Sequence, residues 1–180
     1  MSRISIPSYD QSPEASRPLL NAVNAQFGVI PNFFRLLAVS PDAMEGVMGL
    51  YAALGRTLDA RTREGIAIAV AEVNGCNYCL SAHSYIAAHV AKSGPAEIIA
   101  NRHGGSLDAR SDVAIRFARK LASTRGKVAD TDVEAVRKAG FSDAQLIDLI
   151  ANVAINMLSN FTNNVAETEI DFPLVESGSL

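Results

Sequence analysis

Apolar residues recur at three- and four-residue spacing along most of this chain, and no stretch alternates apolar and polar residues between hairpin turns. The pattern predicts an all-α fold with short connections, as in bundles of antiparallel neighbours. Residues 1–11 read as irregular. A helix is expected from about Ser16 to Phe27, ended by Gly28 and Pro31, and a short one over Asn32–Ala38. Ser40-Pro41-Asp42 supplies a capping hydroxyl, a proline at the first helical position and a first-turn acid, for a helix reaching Gly55. Asp59 caps the next helix, whose apolar residues (Ile66, Ile68, Ala69, Val70, Val73) cover most of its circumference and predict a central position. After Asn74-Gly75 a further helix runs from about Cys76 to Lys92, then a short one over residues 95–102 and a loop at Gly104-Gly105.

Leu107-Asp-Ala-Arg110 repeats the Leu58-Asp-Ala-Arg61 opening. Either the chain holds two copies of a hairpin, or Asp is simply a good N-cap used twice. Asp130 is read as the cap of a helix ending at Gly140. Ser142 and Gln145 form a capping box for the last long helix, which is apolar on several faces and is either the middle of the bundle or half of a subunit interface. The tail after Asp171 is expected to fray.

Composition adds limits. The 180 residues fit one domain, 1–180, with 48% hydrophobic and 19% charged residues. A net charge of -3 gives no basic surface for nucleic acid. No apolar run is long enough for a membrane span and no secretory leader is visible, so a cytoplasmic protein is expected. Two cysteines are too few for a disulfide scaffold; a close pair in such a protein points to redox chemistry or a metal.

That pair lies in Glu72-Val-Asn-Gly-Cys-Asn-Tyr-Cys-Leu-Ser-Ala-His83. With a helical step of about 100° per residue, Cys76, Cys79 and His83 share one face. Cys76 falls at a helix N-terminus, where the dipole and free N–H groups favour a thiolate. In a Cys-x-x-Cys pair the first thiol is usually the more exposed. His83, one turn beyond Cys79, is placed to act as a base, and either Glu72 or Glu64 could orient it. Three plainer readings compete. Cys76 and Cys79 can be counted as small buried hydrophobes; the pair with His83, and His89 or His103 as fourth ligand, could hold zinc; and Glu72 could be a solvated or capping residue. His83 and His89 are on different helix faces, which weakens zinc, and His89 and His103 read as surface or helix-end residues.

Arg63-Glu64 followed by Cys76-x-Tyr78-Cys79-x-x-x-His83 resembles the alkylhydroperoxidase D (AhpD)-like group of the carboxymuconolactone decarboxylase superfamily. Phe27-Gly-Val-Ile-Pro-Asn-Phe33 with Ser40-Pro41, and Asn164-Val-Ala-Glu-Thr-Glu-Ile-Asp-Phe-Pro173, resemble flanking segments of its peroxidase-related branch. The resemblance implies an AhpD-like helical bundle assembled as a homo-trimer or hexamer, and a peroxidase that needs no cofactor or metal. In it Cys79 attacks a hydroperoxide, Cys76 resolves the sulfenic acid to a disulfide, Glu64 and His83 relay protons, and a dithiol reductant, protein or lipoyl-type, restores the thiols. Tyr78 departs from the pattern, since peroxidases of this group can carry histidine before the second cysteine; a phenol is a poor proton shuttle near neutral pH. Two other functions fit less of the motif: a lyase like the superfamily's namesake, which needs no thiols, and a non-enzymatic oligomer whose thiols bind metal or sense redox state.

Overall fold

A computed structural model describes residues 2–179, and among them every regular element is helical. After an irregular N-terminal stretch and a 3-10 turn at Glu14–Ser16, the chain forms α1 (Arg17–Phe27), α2 (Asn32–Leu37), α3 (Pro41–Leu54), α4 (Ala60–Val73) and α5 (Asn77–His89). It continues through α6 (Pro95–Arg102), α7 (Ala109–Ser123), α8 (Asp130–Lys138) and α9 (Asp143–Ala166).

The helix ends follow the capping chemistry with three exceptions. Asp59 and Asp108 accept from the amides of Thr62 (3.0 Å) and Ser111 (2.8 Å), so both copies of the Leu-Asp-Ala-Arg opening work as N-caps. The Thr62 and Ser111 hydroxyls meet at 2.9 Å, which brings the starts of α4 and α7 together. Ser142 and Gln145 form the expected capping box of α9. Ser40, by contrast, makes no side-chain cap; Pro41 fixes the first turn and the Met44 amide closes it on the Ser40 carbonyl at 2.9 Å. Asp130 is the first residue of α8 rather than its cap. Ala129 keeps the extended backbone, and its amide is held by Asp132 Oδ2 at 2.8 Å. Finally, α5 stops at His89, short of Lys92, because Lys92 adopts the left-handed conformation (φ 57°).

α4 is the central helix, as its composition predicts, and it packs on α5, α6, α7 and α9. It supplies two separate cores. Ile68 and Ala71 face Leu20, Val23, Phe33, Met44, Leu80 and the two cysteines; Ile66, Ala69 and Val70 face Ile115, Ala118, Val136, Leu149 and Val153. Gly65 lets α7 approach this closely, since a Cβ there would stand 2.4 Å from Ile115 Cδ1.

α9 does not bury the face that its apolar residues suggest. Ile147, Ile150, Leu158, Phe161 and Val165 are exposed, while Asn152, Asn156, Ser159, Asn160 and Asn163 are buried among apolar residues such as Val153 and Ile155. Several of these amides donate to the carbonyl one turn back, as Asn152 does to Asp148 and Asn156 to Asn152, both at 2.8 Å. Local bonds of this kind make the burial of a polar stripe tolerable.

The C-terminal tail is not frayed. Phe172 packs edge-on to Tyr78, Val175 exchanges hydrogen bonds with Ser81, and the Ser177 amide donates to Asn77 Oδ1 at 2.9 Å. Arg102 holds the last turn by donating to the Glu176 carbonyl (2.7 Å) while its Nε binds Glu72 (2.9 Å); Glu72 Oε1 accepts from the Gly178 amide at 2.6 Å. These bonds satisfy backbone groups that a free tail would leave to water. Replacing Arg102 by Ala is expected to cost about 1–3 kcal/mol. It should also speed hydrogen exchange at Val175 and Gly178 about tenfold or more, with Ile68 in α4 unaffected. Unchanged exchange at both tail amides would show that Arg102 does not anchor the tail.

Candidate active site

Cys76 owes its position to the turn between α4 and α5. Gly75 adopts φ 62°, its amide donates to the Glu72 carbonyl, and the Cys76 amide donates to the Ala71 carbonyl at 3.0 Å. This is a Schellman closure, which takes glycine at its left-handed position. Cys76 is then the N-cap of α5: its carbonyl accepts from the Leu80 amide (2.8 Å) and its Sγ accepts from the Cys79 amide (3.3 Å). The sulfur thus sits on the positive end of the helix.

Cys76 and Cys79 are joined as a disulfide, their Cα atoms 5.3 Å apart. Both are buried, Cys76 at 0% exposure and Cys79 at 3%. The first thiol is therefore not the more exposed one. The tail runs past this turn, binding Asn77 on one side of Cys76 and laying Ser177 Oγ within 3.8 Å of where a Gly75 Cβ would be on the other.

One turn beyond Cys79, His83 Nδ1 lies 2.8 Å from Glu64 Oε2, and both side chains are more than four-fifths buried. An ionised carboxylate only accepts, so Nδ1 carries the shared proton and Nε2 is left as the basic nitrogen. Of the two carboxylates considered for this position, α4 delivers Glu64. Glu72 is neither solvated nor a cap: both its oxygens are taken by Arg102 and Gly178.

Tyr78 points elsewhere. Its hydroxyl accepts from the Phe33 amide at 3.0 Å, and burial, added to by the neighbouring Asp171 carboxylate, pushes its pKa well above the ordinary phenol value. It ties α5 to α2. His89 is stacked on Tyr85 with Nδ1 2.8 Å from that residue's carbonyl, and His103 caps α6. Among the described residues no group of three or more His, Cys, Asp and Glu side chains is arranged to hold a metal ion.

The fold adds two residues that sequence reasoning did not single out. Tyr51, on α3, lies near Glu64 and Ser159; burial of the phenol, with the Glu64 charge adding to it, pushes its pKa up to about 12. It remains a neutral donor at physiological pH. Asn163, on α9, donates from Nδ2 to Cys79 Sγ at 3.3 Å. A signal for the latter was available: Asn152, Asn156, Ser159 and Asn163 recur at helical spacing within an otherwise apolar helix. Two surface hollows, of about 280 Å³ near Arg119 and about 600 Å³ between the starts of α4 and α7, are lined by none of these residues.

Residues 41–122 match the carboxymuconolactone decarboxylase family. A peroxidase-related protein from Ralstonia eutropha JMP134, described as an alkylhydroperoxidase AhpD core, has a similar structure (TM-score 0.83, 27% identity, 94% of this chain and 92% of that one). A peroxidase-related protein from Silicibacter sp. TM1040 follows at TM-score 0.79, 21% identity and coverage of 93% and 89%. A cysteine-to-alanine variant of the debrominase Bmp8, in complex with 2,3,4-tribromopyrrole, shares the fold at TM-score 0.79 and 18% identity over 95% and 92%. No curated protein matches the chain. Among the described residues no helix is long and apolar enough to cross a membrane. The chain has an AhpD-like all-helical fold, and the stretch that carries Glu64, Cys76, Cys79 and His83 is the one that matches the carboxymuconolactone decarboxylase family.

Proposed function

We propose that the protein is a thiol peroxidase that reduces hydroperoxides through its Cys76–Cys79 pair. One observation carries this reading: a hydrogen-bonded Glu64–His83 pair stands one helical turn from a Cys-x-x-Cys disulfide at a helix N-terminus. The disulfide supports redox use of the pair, which a lyase does not need. The peroxidase-related neighbour at 27% identity supports the same reaction class.

The cycle starts from the reduced pair. The Cys79 thiolate attacks the terminal oxygen of the hydroperoxide; the O–O bond breaks, and the departing alkoxide takes a proton to leave as alcohol. Cys79 is now a sulfenic acid. Cys76 attacks its sulfur, forming the disulfide and releasing water. A dithiol reductant, protein or lipoyl-type, then exchanges with the disulfide and leaves oxidised, restoring both thiols. His83 Nε2 takes the Cys79 proton at the outset and returns it to the leaving oxygen, while Glu64 orients the ring and stabilises its protonated form. Such a cycle suits a reducing compartment such as the cytoplasm.

The exposed stripe Ile147, Ile150, Leu158, Phe161 and Val165 supports assembly into a homo-oligomer through α9, since monomers rarely leave so long an apolar face in water.

Cys79→Ser is expected to abolish dithiol-dependent peroxide consumption, and Cys76→Ser to permit one turnover that stops at the sulfenic acid. Normal steady-state turnover by either variant would overturn the cycle. Glu64→Gln should keep the fold and the disulfide but slow peroxide reduction about a hundredfold or more; a rate within a factor of about two would remove Glu64 from the relay. For the assembly, Phe161→Asp should lower the mass measured by light scattering to that of the protomer, and an unchanged mass would exclude α9 as the interface.

A further inference from the structure

The side chain of Asn163 is 97% buried, being 3% exposed, and its only hydrogen bonds among the described residues run from one nitrogen. Nδ2 donates to the Ser159 carbonyl at 3.0 Å and to Cys79 Sγ at 3.3 Å, while Oδ1 has no partner there. The Ser159 carbonyl can only accept, so the amide must turn its NH2 toward it, and the second hydrogen of that group then faces the sulfur. Burying an unpaired carbonyl is unfavourable, and leucine would fill nearly the same space without it. Apart from the bond within its own helix, Asn163 reaches nothing but the sulfur. Its amide is therefore poorly explained by packing.

We propose that Asn163 is a catalytic residue that holds Cys79 as a thiolate. A disulfide sulfur is a weak acceptor and a thiolate a strong one, so the same N–H bond tightens when the pair is reduced. The donor is already oriented when negative charge arrives, either as the reduced enzyme ionises or as Cys79 leaves during attack of the dithiol on Cys76 Sγ. In that second step the new bond is between a reductant sulfur and Cys76 Sγ, the Cys76–Cys79 bond breaks, and its electron pair stays on Cys79. The inference rests on Cys79 being the attacking sulfur.

Other groups bear on the same sulfur. His83, Tyr78 and Cys76 belong to α5 and its cap, Glu64 to α4 and Tyr51 to α3, while Asp171 of the tail lies beyond Tyr78. The polar side chains on the buried face of α9 are amides and a hydroxyl, none of them titratable. A substitution at Asn163 therefore removes a donor without changing the charge around Cys79.

The test follows the ultraviolet absorbance of the thiolate against pH in the Cys76→Ser background, where Cys79 is the sole thiol, with the Cys76→Ser/Cys79→Ser protein subtracted to remove the tyrosines. Asn163→Leu is expected to raise the Cys79 pKa by about one to two units, the value of a hydrogen bond to a charged group. Asn163→Ala, which also removes the donor and adds no charge, should raise it in the same direction and serves if the leucine protein does not fold. A Cys79 pKa within about 0.3 units of the background in the folded variant would overturn the proposal. No peroxide enters this measurement. A shifted pKa in a protein that fails to consume peroxide supports the role of Asn163 while removing the peroxidase reading.

Discussion

The site depends on the tight reversal at Gly75. Three polar groups of Cys76 are engaged at once: its amide closes α4, its carbonyl opens α5, and its sulfur accepts from the Cys79 amide. Cys76 therefore belongs to both helices, and the hairpin has no slack in which to slide. Glu64 lies roughly 15 Å back along α4 and His83 roughly 10 Å forward along α5 at helical rise. Because the two helices leave one fixed point as antiparallel neighbours, the carboxylate and the imidazole arrive side by side. A left-handed glycine sets the distance between two side chains several turns away from it.

α9 completes the site from the opposite side, and does so by reversing the usual arrangement. Its polar stripe faces inward toward Cys79 and Tyr51, and its apolar stripe faces out. Asn74 in the hairpin turn is also bound to this helix, donating to Asn160 Oδ1 at 2.8 Å and receiving from Asn164 through its carbonyl at 2.9 Å. The reversal and α9 are thus fastened to each other by amides, which specify register more sharply than apolar contacts do.

Much of this was legible beforehand. Helix periodicity and the Asp59, Asp108 and Ser142 caps give the element order nearly to the residue, because those signals are local and their partners lie three residues away. The Cys-x-x-Cys pair and His83 share one helix and are equally visible. What was not legible depends on contacts between distant segments. The resemblance favours Glu64 over Glu72, but the physical reason, that Arg102 and Gly178 occupy the latter, lies in contacts between distant segments. The pattern of α9 leaves open whether its apolar residues lie within the bundle or at an interface, because partner surfaces, not residue hydrophobicity alone, decide which side of a helix faces in. The tail reads as frayed from its composition, yet Ser81, Asn77 and Arg102 wait for its backbone.

That tail follows α9 in the chain, so it is made after every residue of the hairpin it covers. At about 5–20 residues per second, the cysteines leave the ribosome several seconds before the segment that docks beside them. During that interval the tail's bonds to Asn77, Ser81 and Glu72 beside the pair are missing from the growing chain. The order of synthesis therefore separates two lives of the same sulfur pair: one without the tail while the chain is growing, and one beside it once Val175 and Gly178 have docked.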